Sequence, residues 1–309
     1  MGTPEFALPS LQALAHCPAH QVLLVVTQPD KPKGRSLGLQ MPPVKELALE
    51  LGIPVMQPVK LRGNGDVLQA FEDLALDAAI VVAYGKMIPD DLLAIPRLGF
   101  INVHASLLPR FRGAAPINRA IIEGCAVTGV SIMQIDPGMD TGPVFLQSEV
   151  PIPDDEDAVG LSTRLSKLGA GKLLEVLEKL GQGGMTAVPQ DESRATAAPM
   201  LTREEGEIDW SRNVRSIHDL VRGLVPWPCA YTFLDGRNLK IMKASFVLKD
   251  HDRTFGSLHR EGPGITIACA GGLLLPEMLQ LEGRKAMDAA AFANGLQKKE
   301  LLLGKARPF

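Results

Sequence analysis

Apolar residues follow two alternating rhythms along the first half of this chain. Near-continuous apolar runs of strand length lie at residues 22–26, 78–83, 100–103 and 130–135. Between them, residues 44–51 and 67–74 space their apolar positions three and four apart, as one face of a helix does. Strands covered on both faces read as unbroken apolar runs, so this part predicts an α/β fold, Rossmann-like, with a mostly parallel sheet. Thr3-Pro4-Glu5 predicts a helix running to Ala15, with Thr3 as N-cap, Pro4 at the first helical position and an acid in the first turn. In such a fold a strand should precede this helix. Met1 stands where that strand would end, so the expectation is a first strand missing at the N-terminus, through a late start or a shortened chain.

A helix over residues 160–180, with Leu161, Leu165, Leu168, Leu173, Leu174 and Leu177 on its apolar stripe, closes the first region. "GQGGMTAVPQDESRATAAPM" (181–200) then has the Gly, Ser, Thr and Pro content of a linker. Beyond it, residues 230–234 and 239–246 flank Asp235-Gly236, and residues 265–269 and 273–275 flank Gly271-Gly272. Both read as β-hairpins. Short strands with tight turns predict a small barrel. The expected organisation is a catalytic domain over 1–183, a linker over 184–203 and a second domain over 204–309.

Composition narrows the setting. The 309 residues are 46% hydrophobic, enough for two cores. Cys17, Cys125, Cys229 and Cys269 are far apart and form no CxxC pair, which gives no support to a zinc site or a disulfide framework. There is no signal-peptide pattern, and no apolar run approaches the roughly 18 residues of a membrane span, so a cytoplasmic protein is expected. The net charge of −3 is uneven: residues 202–309 carry 16 Lys and Arg against 13 Asp and Glu, leaving the first 201 residues acidic. A mildly basic second part offers a weak surface for a polyanion, or is ordinary scatter.

"GFINVHASLLPRFRGAAP" (99–116) holds the candidate chemistry. Side chains two apart on a strand share a face, so Phe100, Asn102 and His104 point one way and Ile101 and Val103 the other. Ligands gather at the C-terminal ends of strands in open parallel sheets. An amide and a protonated imidazole side by side there can both donate to one oxygen that gains negative charge. The plainer alternative is an Asn and a His satisfied by nearby backbone. "IDPGMDTGPVF" (135–145) follows the next run and adds two acids, Asp136 and Asp140, that can lie beside His104 or simply shape the turn; Asp136 suits the turn better. "DKPKGRSLG" (30–38) places Lys31, Lys33 and Arg35 within five residues, where Pro32 and Gly34 discourage a helix; a mobile cationic loop is expected. Arg110 and Arg112 can contact substrate or pair with local carboxylates and carbonyls.

The segments "NVHASLLPRFRGAAPINRAI" (102–121) and "TGVSIMQIDPGMDTGPV" (128–144) resemble the formyltransferases that use 10-formyltetrahydrofolate. "GTPEFALPSLQAL", "TQPDKPKGR", "VVAYGKMIP", "EGEIDWS" and "VPWP" extend the resemblance nearly end to end. It implies that Asn102, His104 and Asp140 are the catalytic trio. It also implies that Ser106, Leu107, Leu108 and Pro109 lie along the folate, and that Lys86, Met87 and Ile88 wall its pteridine pocket. The basic loop and the second domain resemble those of the branch whose acceptor is initiator methionyl-tRNA. For that branch Lys31, Lys33 and Arg35 would reach the tRNA, and the second domain would be an OB-like barrel holding it. 10-Formyltetrahydrofolate as co-substrate, no metal and a monomer are expected. Hydrolysis of formyltetrahydrofolate, formylation of a sugar nucleotide, or RNA binding without catalysis are the alternatives.

Overall fold

A computed structural model describes residues 1–33 and 38–304. The chain forms two compact units. The first holds Met1–Pro116, Val127–Pro151 and Ser162–Pro199; the second holds Ile117–Ala126, Ile152–Leu161 and the chain from Met200 onward. Residues 184–199 of the expected linker therefore lie in the first unit, and residues 200–203 in the second.

The strands up to residue 198 are β1 (Val25–Val26), β2 (Lys31–Lys33), β3 (Gly38–Gln40), β4 (Val55–Met56), β5 (Ala79–Val81), β6 (Phe100–His104), β7 (Arg112–Gly113), β8 (Val127–Gln134), β9 (Val144–Pro151) and β10 (Ala197–Ala198). The helices are α1 (Leu8–His16), α2 (Pro43–Glu50), α3 (Gly65–Asp73), α4 (Asp90–Leu93), α5 (Pro116–Ile122) and α6 (Ala158–Gly181). β1 pairs with β4, and β5 with β6, in parallel. From β6 the direction reverses: β8 runs antiparallel to β6, and β9 antiparallel to β8. The parallel pairing expected from the sequence is present in β1–β4, in the Gly2–Val82 bridge and in β5–β6, and the sheet continues antiparallel through β8 and β9. The connection from β8 to β9, residues 135–143, is shorter than the dozen or more residues that a parallel crossover requires, so those two strands must form a hairpin.

Met1 and Gly2 lie between the two parallel pairs. Gly2 donates to the Val26 carbonyl at 3.0 Å, while the Met1 carbonyl accepts from Val82 at 2.9 Å. Beside them is a cavity of about 430 Å³ whose lining includes Leu11, Leu23, Leu24, Ala78, Ile80 and Leu177. Thr3 does not cap the helix that follows. Its hydroxyl donates to the Tyr84 carbonyl, residues 5–7 form a 3-10 turn, and α1 begins at Leu8.

Alternation along β6 divides the apolar interior. Ile101 and Val103 join Leu11, Val44, Ala48, Ile132, Leu173 and Val176 on one side. Phe100 joins Val67, Phe71, Val81 and Leu92 on the other, with the rings of Phe71 and Phe100 stacked at 6.0 Å. Asn102 and His104 share the face of Phe100, beyond the end of its cluster. The stretch expected as a mobile cationic loop is flanked by a short pair of strands: Lys31–Lys33 runs antiparallel to Gly38–Gln40. Pro32 is tolerated because this two-stranded ribbon leaves a free edge. Arg35 lies outside the described residues.

The second unit contains α7 (Val214–Gly223), α8 (Ala289–Asn294), β11 (Ala230–Leu234), β12 (Arg237–Leu248), β13 (Ser257–Glu261), β14 (Gly264–Cys269), β15 (Gly272–Leu281), β16 (Met287–Asp288) and β17 (Glu300–Leu302). The strands form one antiparallel sheet in the order β11-β12-β15-β14-β13-β17, with β16 on β15. Both hairpins expected from the sequence are present. Asp235 and Gly236 turn the first in the left-handed region, with φ of 50° and 78°. The sheet curls until its two edges meet, where Phe233 and Gly304 exchange backbone hydrogen bonds. Leu239, Ile241, Leu258, Ile267, Leu274 and Leu279 fill the interior against Val214, Ile217 and Val221 of α7. Asn213 caps α7 by accepting from the Arg215 amide at 2.9 Å. Among the described residues, no helix is long and apolar enough to cross a membrane.

Within this unit Arg119 of α5 forms a two-pronged ion pair with Glu205. That guanidinium holds the Glu205 carboxyl below its ordinary range. A carboxyl that is more acidic when folded stabilises the fold above its unfolded value and loses that contribution as pH falls through the folded one. Glu205→Gln should therefore lower unfolding free energy by about 0.5–1 kcal/mol at pH 7. The difference from the wild type should close as the pH drops below about 4, in urea melts repeated across pH.

Candidate active site

β6 delivers Asn102 and His104 to the C-terminal end of the sheet, and the loop after β8 brings Asp140 to them. His104 is buried. Its Nε2 lies 2.9 Å from the Phe111 carbonyl oxygen, and a carbonyl only accepts, so Nε2 carries a proton. Its Nδ1 faces the Asp140 Oδ2 at 3.6 Å. Asn102 Nδ2 donates to Asp140 Oδ1 at 3.4 Å, and Oδ2 also accepts from the Gly113 amide at 2.9 Å. Amide, imidazole and carboxylate therefore converge on one point from two segments of the first unit. Asp136 is used differently: one of its oxygens accepts from the Gly138 amide and the Thr141 hydroxyl and so shapes the turn.

Close backbone approach holds this arrangement together. Gly142 sits so near β8 that an added Cβ would lie 1.9 Å from the Gln134 carbonyl oxygen. Gly113 has φ of +123°, and a Cβ there would meet the Ala198 carbonyl oxygen at 2.8 Å. Asp140 and Phe111 are themselves left-handed, with φ of 53° and 61°. Non-glycine residues adopt that region at a cost of order 1–3 kcal/mol, which the surrounding contacts must offset.

The loop after β6 is fixed from beneath. Ser131, opposite His104 in the β6–β8 register, is fully buried. Its hydroxyl donates to the Ser106 carbonyl at 2.6 Å and accepts from the Leu108 amide at 3.1 Å. Gln147 donates to the Leu108 carbonyl and to the same hydroxyl. The Ser106 hydroxyl is occupied by the Arg110 carbonyl at 2.6 Å. Ser106 and Leu108 are thus interior, whereas Leu107 and Pro109 keep partial exposure. Lys86 spends its ammonium on the carbonyls of Pro58 and Val59, both at 2.8 Å. Ile88 belongs to the cluster around Phe71, while Met87 is exposed. Lys31 is exposed on its hairpin.

Arg112 takes the structural role that its sequence context allowed. It donates to Gln190 Oε1 and, two-pronged, to Glu192, whose carboxyl it holds below the usual range. Arg110 sets its guanidinium 4.9 Å from the centre of the Phe111 ring. Ser131, Gln147, Gln190 and Thr196 were not found from the sequence. Ser131 and Gln147 lie on strands, where one more polar residue carries no signal. Gln190 and Thr196 lie in a stretch whose small polar composition conceals partners about 50 to 85 positions earlier.

The formyl transferase family matches residues 1–177, and the formyl transferase C-terminal domain matches residues 200–297. A protein named methionyl-tRNA formyltransferase from Geotalea uraniireducens is 48% identical over 296 residues, covering 96% of this chain and 93% of its own. Two solved structures share the fold. One, an N-formyltransferase from Helicobacter canadensis in complex with folinic acid and dTDP-3-aminofucose, is 16% identical with a TM-score of 0.67, covering 89% of this chain and 96% of its own. The other is HypX from Aquifex aeolicus in complex with tetrahydrofolic acid, 17% identical with a TM-score of 0.62. It covers 93% of this chain, which spans about half (48%) of the HypX chain.

Two glycines offer a direct comparison. Gly142→Ala drives a methyl group into the Gln134 carbonyl and should destabilise the protein by about 3 kcal/mol or more. Gly171→Ala, in α6 with open space around it, should be neutral or stabilising by about 0.5–1 kcal/mol. Thermal or urea unfolding of the two variants beside the wild type checks both signs.

Proposed function

The chain belongs to the formyl transferase family, and we propose that it transfers the formyl group of 10-formyltetrahydrofolate to the α-amino group of initiator methionyl-tRNA. The relative from Geotalea uraniireducens, matched over nearly the full length of both chains, supports that acceptor. The observation that carries the chemistry is the convergence of Asn102, His104 and Asp140.

The neutral amine attacks the formyl carbon, and the carbonyl oxygen becomes an oxyanion. Asn102 Nδ2 donates to that oxygen. His104 has committed Nε2 to Phe111, so its Nδ1–H is the second donor. Donors already aimed at a developing charge stabilise the transition state more than the ground state. Asp140 pairs with the charged ring from the Nδ1 side and orders a water that carries the proton leaving the amine to N10. The bond between N10 and the formyl carbon breaks, and tetrahydrofolate departs with that proton. Leu107, Pro109 and Met87, which keep exposed apolar surface, are the expected folate contacts. Ser106, Leu108, Lys86 and Ile88 support the walls from behind.

The acceptor RNA is held by Lys31, Lys33 and Arg35 and by the curled sheet of the second unit, which we assign as an OB-like domain. The protein acts as a cytoplasmic monomer. Lys31→Ala should weaken tRNA binding and flatten its salt dependence by roughly 0.7–0.9 in the log-log slope, the value of one phosphate contact. Filter binding at several salt concentrations measures that slope.

Release of tetrahydrofolate from 10-formyltetrahydrofolate, followed with and without methionyl-tRNA, tests the whole reading. Turnover that requires the aminoacylated tRNA supports it. Release into water alone, or no release under either condition, rejects it. Asn102→Ala should lower kcat by about 10²–10³ while leaving the melting temperature near the wild-type value. Wild-type turnover in that variant removes Asn102 from the reaction.

A further inference from the structure

Residues 190–198 form a strap across the loops that carry the site. Gln190 donates its Nε2 to the carbonyls of Asp140 at 2.8 Å and Gly142 at 2.7 Å. Its Oε1 accepts from Nε and Nη2 of Arg112 at 3.1 and 2.8 Å. Six residues on, the Thr196 hydroxyl accepts from the Phe111 amide at 2.9 Å. The Thr196 carbonyl accepts from the Arg112 amide at 2.8 Å, and its own amide donates to Pro109 at 3.2 Å. β10 then pairs in parallel with β7, and the Ala198 carbonyl accepts from Ala115 at 3.1 Å.

These bonds fall on the two groups that flank the His104 ring. Gln190 holds Asp140, the neighbour of Nδ1, and Thr196 holds Phe111, whose carbonyl receives the proton on Nε2. Both held residues are left-handed and do not carry glycine's freedom to adopt that conformation. Between two acceptors fixed in this way, the ring has one orientation and one neutral tautomer. Released from either, the ring gains rotated orientations that turn Nδ1, which bears a hydrogen only in the charged ring once Nε2 is committed to Phe111, away from the oxyanion.

We propose that Gln190 and Thr196 are positioning residues for the transfer, acting through Asp140 and Phe111 to set the orientation and tautomer of His104. The inference rests on the reading of Asn102, His104 and Asp140 as the reacting site. Gln190→Met keeps length and packing but removes all four hydrogen bonds. Gln190→Glu keeps an acceptor for Arg112 but turns an oxygen toward the Asp140 and Gly142 carbonyls. Thr196→Val removes only the hydroxyl, and Thr196→Ser restores it.

The test combines steady-state kinetics with ¹⁵N NMR of the His104 ring nitrogens in the full chain. Both Gln190 variants should lose about 10- to 100-fold in kcat, the scale set by a displacement of an ångström or less at a reacting group. KM for the folate should stay within about threefold, since none of its expected contacts is touched. Thr196→Val should shift the ring from a predominantly Nε2–H signature towards a mixture of tautomers, and Thr196→Ser should return it. Wild-type kcat in both Gln190→Met and Thr196→Val overturns the proposal. So does a loss of kcat that tracks the melting temperature while the ring-nitrogen shifts stay fixed. If the wild type itself transfers no formyl group, the reaction reading fails and the NMR arm alone decides. Unchanged shifts then reject the strap's hold on His104, and shifts that move and are restored by serine support it.

Discussion

The Asp140 carboxylate is the point on which the geometry of the candidate site depends. One group receives a hydrogen bond from Asn102, faces the ring of His104 and is itself fixed by the Gly113 amide. Its place follows from constraints that have little to do with its charge. β8 and β9 must join through a short turn, Asp136 organises that turn, and Gly142 permits the returning chain to press against β8. A carboxylate carried by backbone so tightly bound has few other places to go. That suits the role we propose for it, to meet a charge that exists only briefly.

Much of this was legible because it depends on short-range periodicity. Alternation along residues 100–104 sorts Ile101 and Val103 into one core and sets Asn102 and His104 on the opposite face, whatever the direction of the neighbouring strand. The helices near residues 44–51, 67–74 and 160–180 and both hairpins of the second unit come from equally local signals. Strand direction does not. The run at 130–135 is as apolar as a parallel strand because it is covered on both faces; the short loop after it reveals that β9 turns back along it, but nothing in the sequence reveals that it runs antiparallel to β6. Thr3 looked like a cap because Pro and an acid follow it, but a hydroxyl within reach of the Tyr84 carbonyl had another partner.

The strap was hidden for a further reason. Gly, Ser, Thr and Pro are frequent in linkers because they form no core of their own, and the same residues suit a segment whose role is to hydrogen-bond to other backbone. Gln190 and Thr196 bury little apolar surface, so no hydrophobic signal marks them. Arg112 shows the same ambiguity from the other side. An arginine beside a candidate site invites a substrate role, but here the bidentate pairing with Glu192 and the contact with Gln190 use its donors to hold two loops together.

The meeting of Phe233 with Gly304 has a bearing on how the protein comes off the ribosome. Seven strands are made in sequence, yet the first of them gains its last neighbour only after Gly304 has cleared the exit tunnel. Until then β11, bridged on that side by the Ile208 amide at the Tyr231 carbonyl, keeps its Phe233 amide and carbonyl open to a strand from another nascent chain. The interval is set by the rate of translation. The curled sheet therefore ties its freedom from intermolecular pairing to the timely arrival of the residues around Gly304.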